Sequence, residues 1–214
     1  MPPVYFGSQG KTLTGYFMNR DVIKFEFHKK QFAVYIDKVL CFPQAYAAAV
    51  MLLQTLVECP KALILDIGGN TADYMVLKNG KPLFNLIASC DSLENGVDVL
   101  YNRIQSSLNA EKDVLLEESE IDAILLGKSV LYGNDIVDII RRQAQGFVND
   151  LFSTLRERKI DLRSSKAIFV GGGSILLRQQ IERSGKVGTA LFVDDINANA
   201  KGYELLYQLE LAGR

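Results

Sequence analysis

With 214 residues, 24 basic and 25 acidic side chains and a net charge of −1, the chain can bury a sizeable core in one or two domains. It carries no bulk field that would draw it to nucleic acid or anionic lipid, so direct nucleic-acid binding is not expected. Cys41, Cys59 and Cys90 form an odd set at no metal-ligand spacing, which excludes a disulfide framework and fits free thiols in a reducing compartment. Met1-Pro2-Pro3 has neither a basic n-region nor an apolar h-region, and no apolar run reaches bilayer length. The expected location is the cytoplasm, with no membrane association.

In chain order, Ser8 to Met18 predicts a short helix weakened by Gly10 and Gly15. Ile23, Phe25 and Phe27, then Phe32, Val34 and Ile36, alternate on either side of Lys29-Lys30, which predicts a hairpin with one buried face. His28 stands at its turn and, with no second ligand nearby in sequence, reads as a surface residue. Val39 to Phe42 continues as strand, and Pro43 opens an alanine-rich helix to about Glu58. Ala62 to Leu65 predicts a buried strand and Asp73 to Leu77 a second. Asn79-Gly80 supplies the type I′ turn that would bring Leu83 to Ala88 back beside it.

Asp91 and Ser92 lead into a predicted helix from Leu93 to Leu108, whose Val97, Leu100, Tyr101, Ile104 and Leu108 form a core stripe. The acidic stretch Glu111 to Asp122 reads as a solvated helix face and not as a metal cluster. Asn134 to Arg158 is the longest helical pattern, with Ile136, Ile139, Ile140, Phe147, Leu151 and Leu155 on one side. A buried strand follows at Ala167 to Val170, then a helix from Ile175 to Arg183 capped by Ser174, a short strand at Ala190 to Val193 and a closing helix from Asn197 to Leu211. The order of elements is that of an α/β layer protein.

Two stretches carry chemistry. Asp66-Ile67-Gly68-Gly69-Asn70-Thr71-Ala72-Asp73 ends a buried strand in an acid and two glycines, so the backbone can turn tightly and bring N–H groups, an amide and a hydroxyl to phosphate oxygens. Asp66 suits a Mg²⁺ ion or its waters. About a hundred residues later Val170-Gly171-Gly172-Gly173-Ser174 breaks a second buried strand into three glycines and a helix. Together these motifs resemble the actin, sugar-kinase and heat-shock-chaperone ATPase superfamily. Phe42-Pro43-Gln44-Ala45-Tyr46-Ala47-Ala48 and Asn197-Ala198-Asn199-Ala200-Lys201-Gly202-Tyr203 make the chain similar to the ParM/StbA group of bacterial actin-like plasmid segregation proteins, from about Pro3 to about Leu211.

The resemblance implies an actin-like, ribonuclease H-like ATPase fold with its second half complete and its first half partial. Residues 1–60 would be the end of domain I, and residues 61–214 domain II, with a small subdomain at about 110–133. The family's first phosphate loop has no counterpart here; the chain looks like one that lacks roughly the first hundred residues of such a protein and is expected to be inactive alone. The implied ligands are ATP or ADP with Mg²⁺. Gly68, Gly69, Asn70 and Thr71 would bind the terminal phosphates, Asp66 would hold the metal through water, and Gly171, Gly172, Gly173 and Ser174 would contact the adenosine and α-phosphate. Asp91 would help orient water. Gln44 stands where this group places an acid, often Glu, to polarise the attacking water; an amide can orient water but cannot take its proton. Asn199 and Gly202 would close the hinge between halves.

The implied function is ATP-driven filament formation for plasmid segregation, with self-association and a DNA-binding adaptor at a plasmid centromere as partners. A fragment of this kind could also dimerise through apolar surface near Phe25, Phe27 and the Pro43 helix. A sugar- or acetate-kinase-like phosphotransferase of the same superfamily and a nucleotide-free interaction module are the alternatives.

Overall fold

The computed structural model describes residues 1–19, 22–52, 56–83, 89–128 and 131–213. Helix α1 (Pro3–Met18) starts well before the predicted Ser8, because proline is suited to the first helical position, where its missing N–H leaves no bond unmade. It buries only Pro3 and Gly10, and Tyr5, Tyr16 and Phe17 are exposed. Strands β1 (Ile23–Phe27) and β2 (Lys30–Val34) form the predicted hairpin, turned by His28 and Lys29 at φ of 48° and 60°. Phe25 lies opposite Phe32, the rings stacked 5.4 Å apart. The expected buried face is absent: every residue of both strands is exposed, Phe27 to 60%. Alternation marks which side of a strand is apolar, not whether anything in the chain covers it.

Pro43 does not open the following helix. Ala45 first takes a positive φ (62°) at the centre of a tight turn in which Tyr46 N donates to Gln44 O, and only then does α2 (Tyr46–Ala49) begin, tightening into a 3-10 turn at Val50–Leu52. The continuation expected through residues 53–55 lies outside the described residues. Far from being exposed, Ala47, Ala48 and Ala49 are fully buried.

The main sheet is built on β3 (Ala62–Ile67), which turns at Gly68–Thr71 into antiparallel β4 (Ala72–Lys78). Asn79 and Gly80 adopt φ of 48° and 73°, the expected tight turn, and β5 (Lys81–Pro82) starts back along β4. The remainder of that predicted strand, residues 84–88, lies outside the described residues. Beyond it β6 (Cys90–Leu93) pairs with the same edge of β4, so Asp91 and Ser92 belong to a strand and not to a helix lead-in. Helix α3 (Val97–Lys112) therefore starts four positions later than predicted. Helices α4 (Glu118–Leu125) and α5 (Asn134–Glu157) follow, then β7 (Lys166–Val170), parallel to β3. Two short helices, α6 (Gly172–Leu176) and α7 (Arg178–Arg183), replace the single predicted one. β8 (Thr189–Phe192) adds in parallel to β7, and α8 (Ala198–Ala212) ends the chain. The strand order is β5-β4-β3-β7-β8, with β6 also on β4.

β3 is apolar on both sides because both faces of the sheet are covered. Leu63, Leu65 and Ile67 pack against the α3, α4 and α5 layer, where Ile140, Ala144, Phe147, Leu151 and Leu155 form the buried stripe of α5. Ala62 and Ile64, with Met75, Leu77 and Ile168, face the opposite layer, made by Ala45, Ala48 and Ala49 of the α2 segment and Ala198 of α8. Each fully buried Leu, Ile or Phe contributes roughly 1.5–3 kcal/mol relative to exposure. Gly202 lets α8 cross α2 at backbone contact, since a Cβ there would overlap the carbonyl oxygen of Ala47. No helix among the described residues is long and apolar enough to cross a membrane.

Candidate functional site

β3 and β7 are adjacent and parallel, with Asp66 in register with Val170, so the two glycine segments leave the sheet side by side at its C-terminal edge. That edge is where open α/β sheets place their ligands. Gly68, Gly69, Gly172 and Gly173 line one cavity of about 260 Å³, together with Tyr101 and Asp122. Tyr101 donates from its hydroxyl to Asp122 Oδ1 at 2.7 Å; burial and this carboxylate hold the phenol far above its ordinary value.

The first glycine turn is bound on one side to the start of α3. Val97 N donates to Gly68 O and Asp98 N to Gly69 O, both at 3.0 Å, and Gly96 N to Asn70 O at 3.2 Å. Gly96 is required for this approach, because a Cβ there would overlap the Gly69 carbonyl. The carbonyls of the turn are thus committed to the helix. Among the described residues no main-chain bond takes the N–H of Asn70 or Thr71.

In the second segment, Gly171 has φ 86° and backs onto Asp66 and the Ile67 carbonyl; a Cβ on Gly173 would press on Ile67 at 2.6 Å and Val97 at 2.8 Å. Gly172 has open space around its Cα. Ser174, expected to cap a helix and touch the ligand, is buried and donates to Val170 O at 2.6 Å, closing the end of β7. Gly171 takes the position before the helix instead.

Asp66 points to the α2 and α8 face. Its Oδ2 accepts from Asn199 Nδ2 at 3.0 Å, and Asn199 Oδ1 accepts from Ala45 N at 3.1 Å. That bridge brings the Gln44–Ala45 turn next to Asp66. Directly across the β3–β4 pair is Asp73, only 6% exposed, which accepts a hydrogen bond from the Ser92 hydroxyl. Burial pushes both carboxyls up; for Asp66 the Asn199 bond acts in the opposite sense and the charge of Asp73 adds to the rise. For Asp73 the Ser92 bond and the Met1 ammonium counter the burial, and Asp91 adds to it. Sequence reasoning assigns Asp73 no role; its place at the end of the glycine motif and the strand pairing that sets it across from Asp66 are the signals that could have found it.

Asp91 does not join this group. It sits opposite Tyr74 in the ladder, on the other face of the sheet from Asp73, and forms an ion pair with Arg158, the residue just after α5, which also stands over the Tyr74 ring.

A family profile described as "Archaeal actin homologue MreB-like, C-terminal" matches residues 64–183. Sequence comparison with curated proteins finds no match. Among solved structures, the archaeal actin homologue Ta0583 in complex with ADP superposes with a TM-score of 0.74 at 20% identity, over 98% of this chain and 70% of that one. The apo pSK41 ParM protein gives 0.73 at 17% identity, over 100% and 62%, and a non-polymerisable quadruple mutant of pCBH ParM gives 0.68 at 16%, over 98% and 67%. The chain spans about two thirds of the length of these structures. The match spans both glycine turns and more than half of the chain, and the chain belongs to the family of MreB-like actin homologues by their C-terminal domain.

Proposed function

We propose that the chain is the nucleotide-holding second half of an actin-like ATPase that assembles into filaments and segregates plasmid DNA through a DNA-bound adaptor. The observation that carries this reading is the convergence of Gly68–Gly69 and Gly172–Gly173 on one cavity at the strand end that carries Asp66, with the buried Asp73 across the ladder from it. Phosphoryl transfer needs donors for phosphate oxygens, a divalent cation and an oriented water, and little covalent work from the protein. Asn70 and Thr71 present main-chain N–H groups, and the Asn70 amide and Thr71 hydroxyl belong to the same turn. The two carboxylates, both destabilised as anions by burial, suit a hard cation that keeps most of its waters. Asp66 would hold Mg²⁺ in this way, and the ion would neutralise charge on the terminal phosphates.

Gln44, one residue from the Ala45–Asn199–Asp66 bridge, is the group for positioning water. The relatives solved with ADP and as a non-polymerisable mutant favour nucleotide binding and assembly. Residues 1–60 would close domain I, and residues 61–214 would form domain II with its small subdomain at 110–133.

Calorimetric titration of the chain with Mg·ADP and Mg·ATP tests the reading. If the chain supplies only the second half of the cleft, weak binding without turnover is expected, and Asp66→Ala should abolish it. In the full-length protein, Mg·ATP should trigger sedimentable filaments, and Asp66→Ala should not form them. Binding that is indifferent to Asp66 would overturn the assignment.

A further inference from the structure

At the end of the sheet where β7 and β8 begin, remote from the glycine turns, lies a cavity of about 440 Å³, a size at which small molecules are held. Its shape is set by the end of α5. Lys159 N donates to Arg156 O at 2.9 Å and Ile160 N to Leu155 O at 3.0 Å, a Schellman turn that closes the helix. Ile160 is thereby buried with Phe152 and Leu162, and the three give the cavity an apolar base. The residue that closes such a turn is ordinarily glycine, because it must take a left-handed conformation; here it is Lys159, at φ 63°. A charged side chain is kept at the cavity at a cost in backbone strain.

The segment leading into β8 is pinned to the segment leading into β7. Gly188 N donates to Leu162 O at 3.1 Å, and a Cβ on Gly188 would overlap the carbonyl oxygen of Arg163. Arg163 Nη2 donates to Gly185 O at 3.0 Å and Lys186 Nζ to Asn149 O at 3.4 Å, which fixes both cations without neutralising them. Arg156, Lys159, Arg163 and Lys186 thus line one preformed cavity, and among the described residues none of the four forms an ion pair. Asp161, the carboxylate in the lining, accepts from Arg163 N at 2.9 Å. On a chain of net charge −1, this is a concentrated positive site with an apolar base.

We infer that this cavity binds a small phosphate monoester, with the apolar part of the ligand against Phe152, Ile160 and Leu162 and the phosphate among the four cations. Four positive charges against the one of Asp161 leave an excess that a single carboxylate does not balance, whereas a phosphate monoester carries close to two negative charges at neutral pH. The planar guanidinium of an arginine matches two phosphate oxygens at once, and the lysines add point charges. The apolar base distinguishes a monoester from inorganic phosphate, because burial of its hydrocarbon part adds to the ionic attraction. The inference is independent of the nucleotide reading, since the glycine turns leave the sheet at the other end of β3 and β7.

Calorimetric titration of the 214-residue chain with phenyl phosphate at low salt tests it. Saturable binding is expected, at least tenfold tighter than that of inorganic phosphate or benzoate, and weakening as salt is added. Arg156→Glu with Lys159→Glu should weaken it at least tenfold, with unchanged circular dichroism and an unchanged response to Mg·ADP. Lys128→Glu with Arg141→Glu, which reverses two exposed cations outside the cavity lining, should leave it within about twofold. Inorganic phosphate binding as tightly as phenyl phosphate would mean a general attraction for anions and would overturn the inference, as would equal affinities in the two double variants or no saturable binding at all. A phosphotyrosine peptide that binds at least tenfold tighter than phenyl phosphate would overturn the small-molecule assignment in favour of a protein partner.

Discussion

Asn199 joins two segments far apart in sequence, donating to Asp66 Oδ2 at 3.0 Å and accepting from Ala45 N at 3.1 Å. Ala45, at positive φ, is held by this bond, and through it the start of α2 is tied to the end of β3. Asn199→Ala leaves the Ala45 N–H and one side of Asp66 without their partner. A loss of about 1–3 kcal/mol in unfolding free energy is expected. Urea denaturation measures it, and Asn199→Asp should cost at least as much, because a third carboxylate joins Asp66 and Asp73.

The raised carboxyls of Asp66 and Asp73 make stability depend on pH with a definite sign. Between the ordinary carboxylate value and the raised folded value, the native state holds protons that the unfolded chain has released, so stability falls as pH rises through that window and levels off above it. Asp66→Asn removes one of the charges and keeps an oxygen for Asn199. Its unfolding midpoint should exceed that of the unaltered chain at pH 7, with the difference vanishing toward pH 3. Thermal melts across that range check the sign; a variant less stable at pH 7 contradicts it.

The three glycines after β7 are not equivalent. Gly171 and Gly173 abut Asp66, Ile67 and Val97, so alanine at either forces the strand end or α3 to shift, at about 1–3 kcal/mol. Gly172 has open space, and Gly172→Ala should fold as the unaltered chain does. If adenosine lies against this segment, the bulkier Gly172→Val should weaken nucleotide binding at least tenfold while leaving the melting temperature nearly unchanged. Equal melting and equal binding would remove Gly172 from the site.

Asp91 and Gln44 separate in the same assays. The half-exposed Asp91–Arg158 pair lies on the face away from Asp66 and Asp73, so Asp91→Ala should cost no more than about 1 kcal/mol and leave nucleotide affinity unchanged. If the proposed ATPase reading holds, Gln44→Ala should slow hydrolysis by about one to three orders of magnitude at nearly constant affinity, as for a group that acts only in the transition state. Filaments of that variant should persist longer, which light scattering follows.

Much of this architecture was legible from local pattern. β3, β4 and β7 are continuous apolar runs because both faces are covered, the Asn79-Gly80 turn needs two positive φ values, and α5 carries its apolar stripe at helical spacing. The two glycine segments, and with them the family, were legible in the sequence. What only the tertiary structure decided are relations between segments far apart in sequence. The alternation of β1 and β2 says nothing about a missing cover, and the delayed start of α2 follows from a bond to Asn199, 154 residues away. Asp91 and Asp73 are both strand acids near the glycine turn, yet the pairing register of β4 with β6 sends one to Arg158 and sets the other across from Asp66. Local sequence determines what a segment can form; which of its faces meets a partner depends on long-range packing.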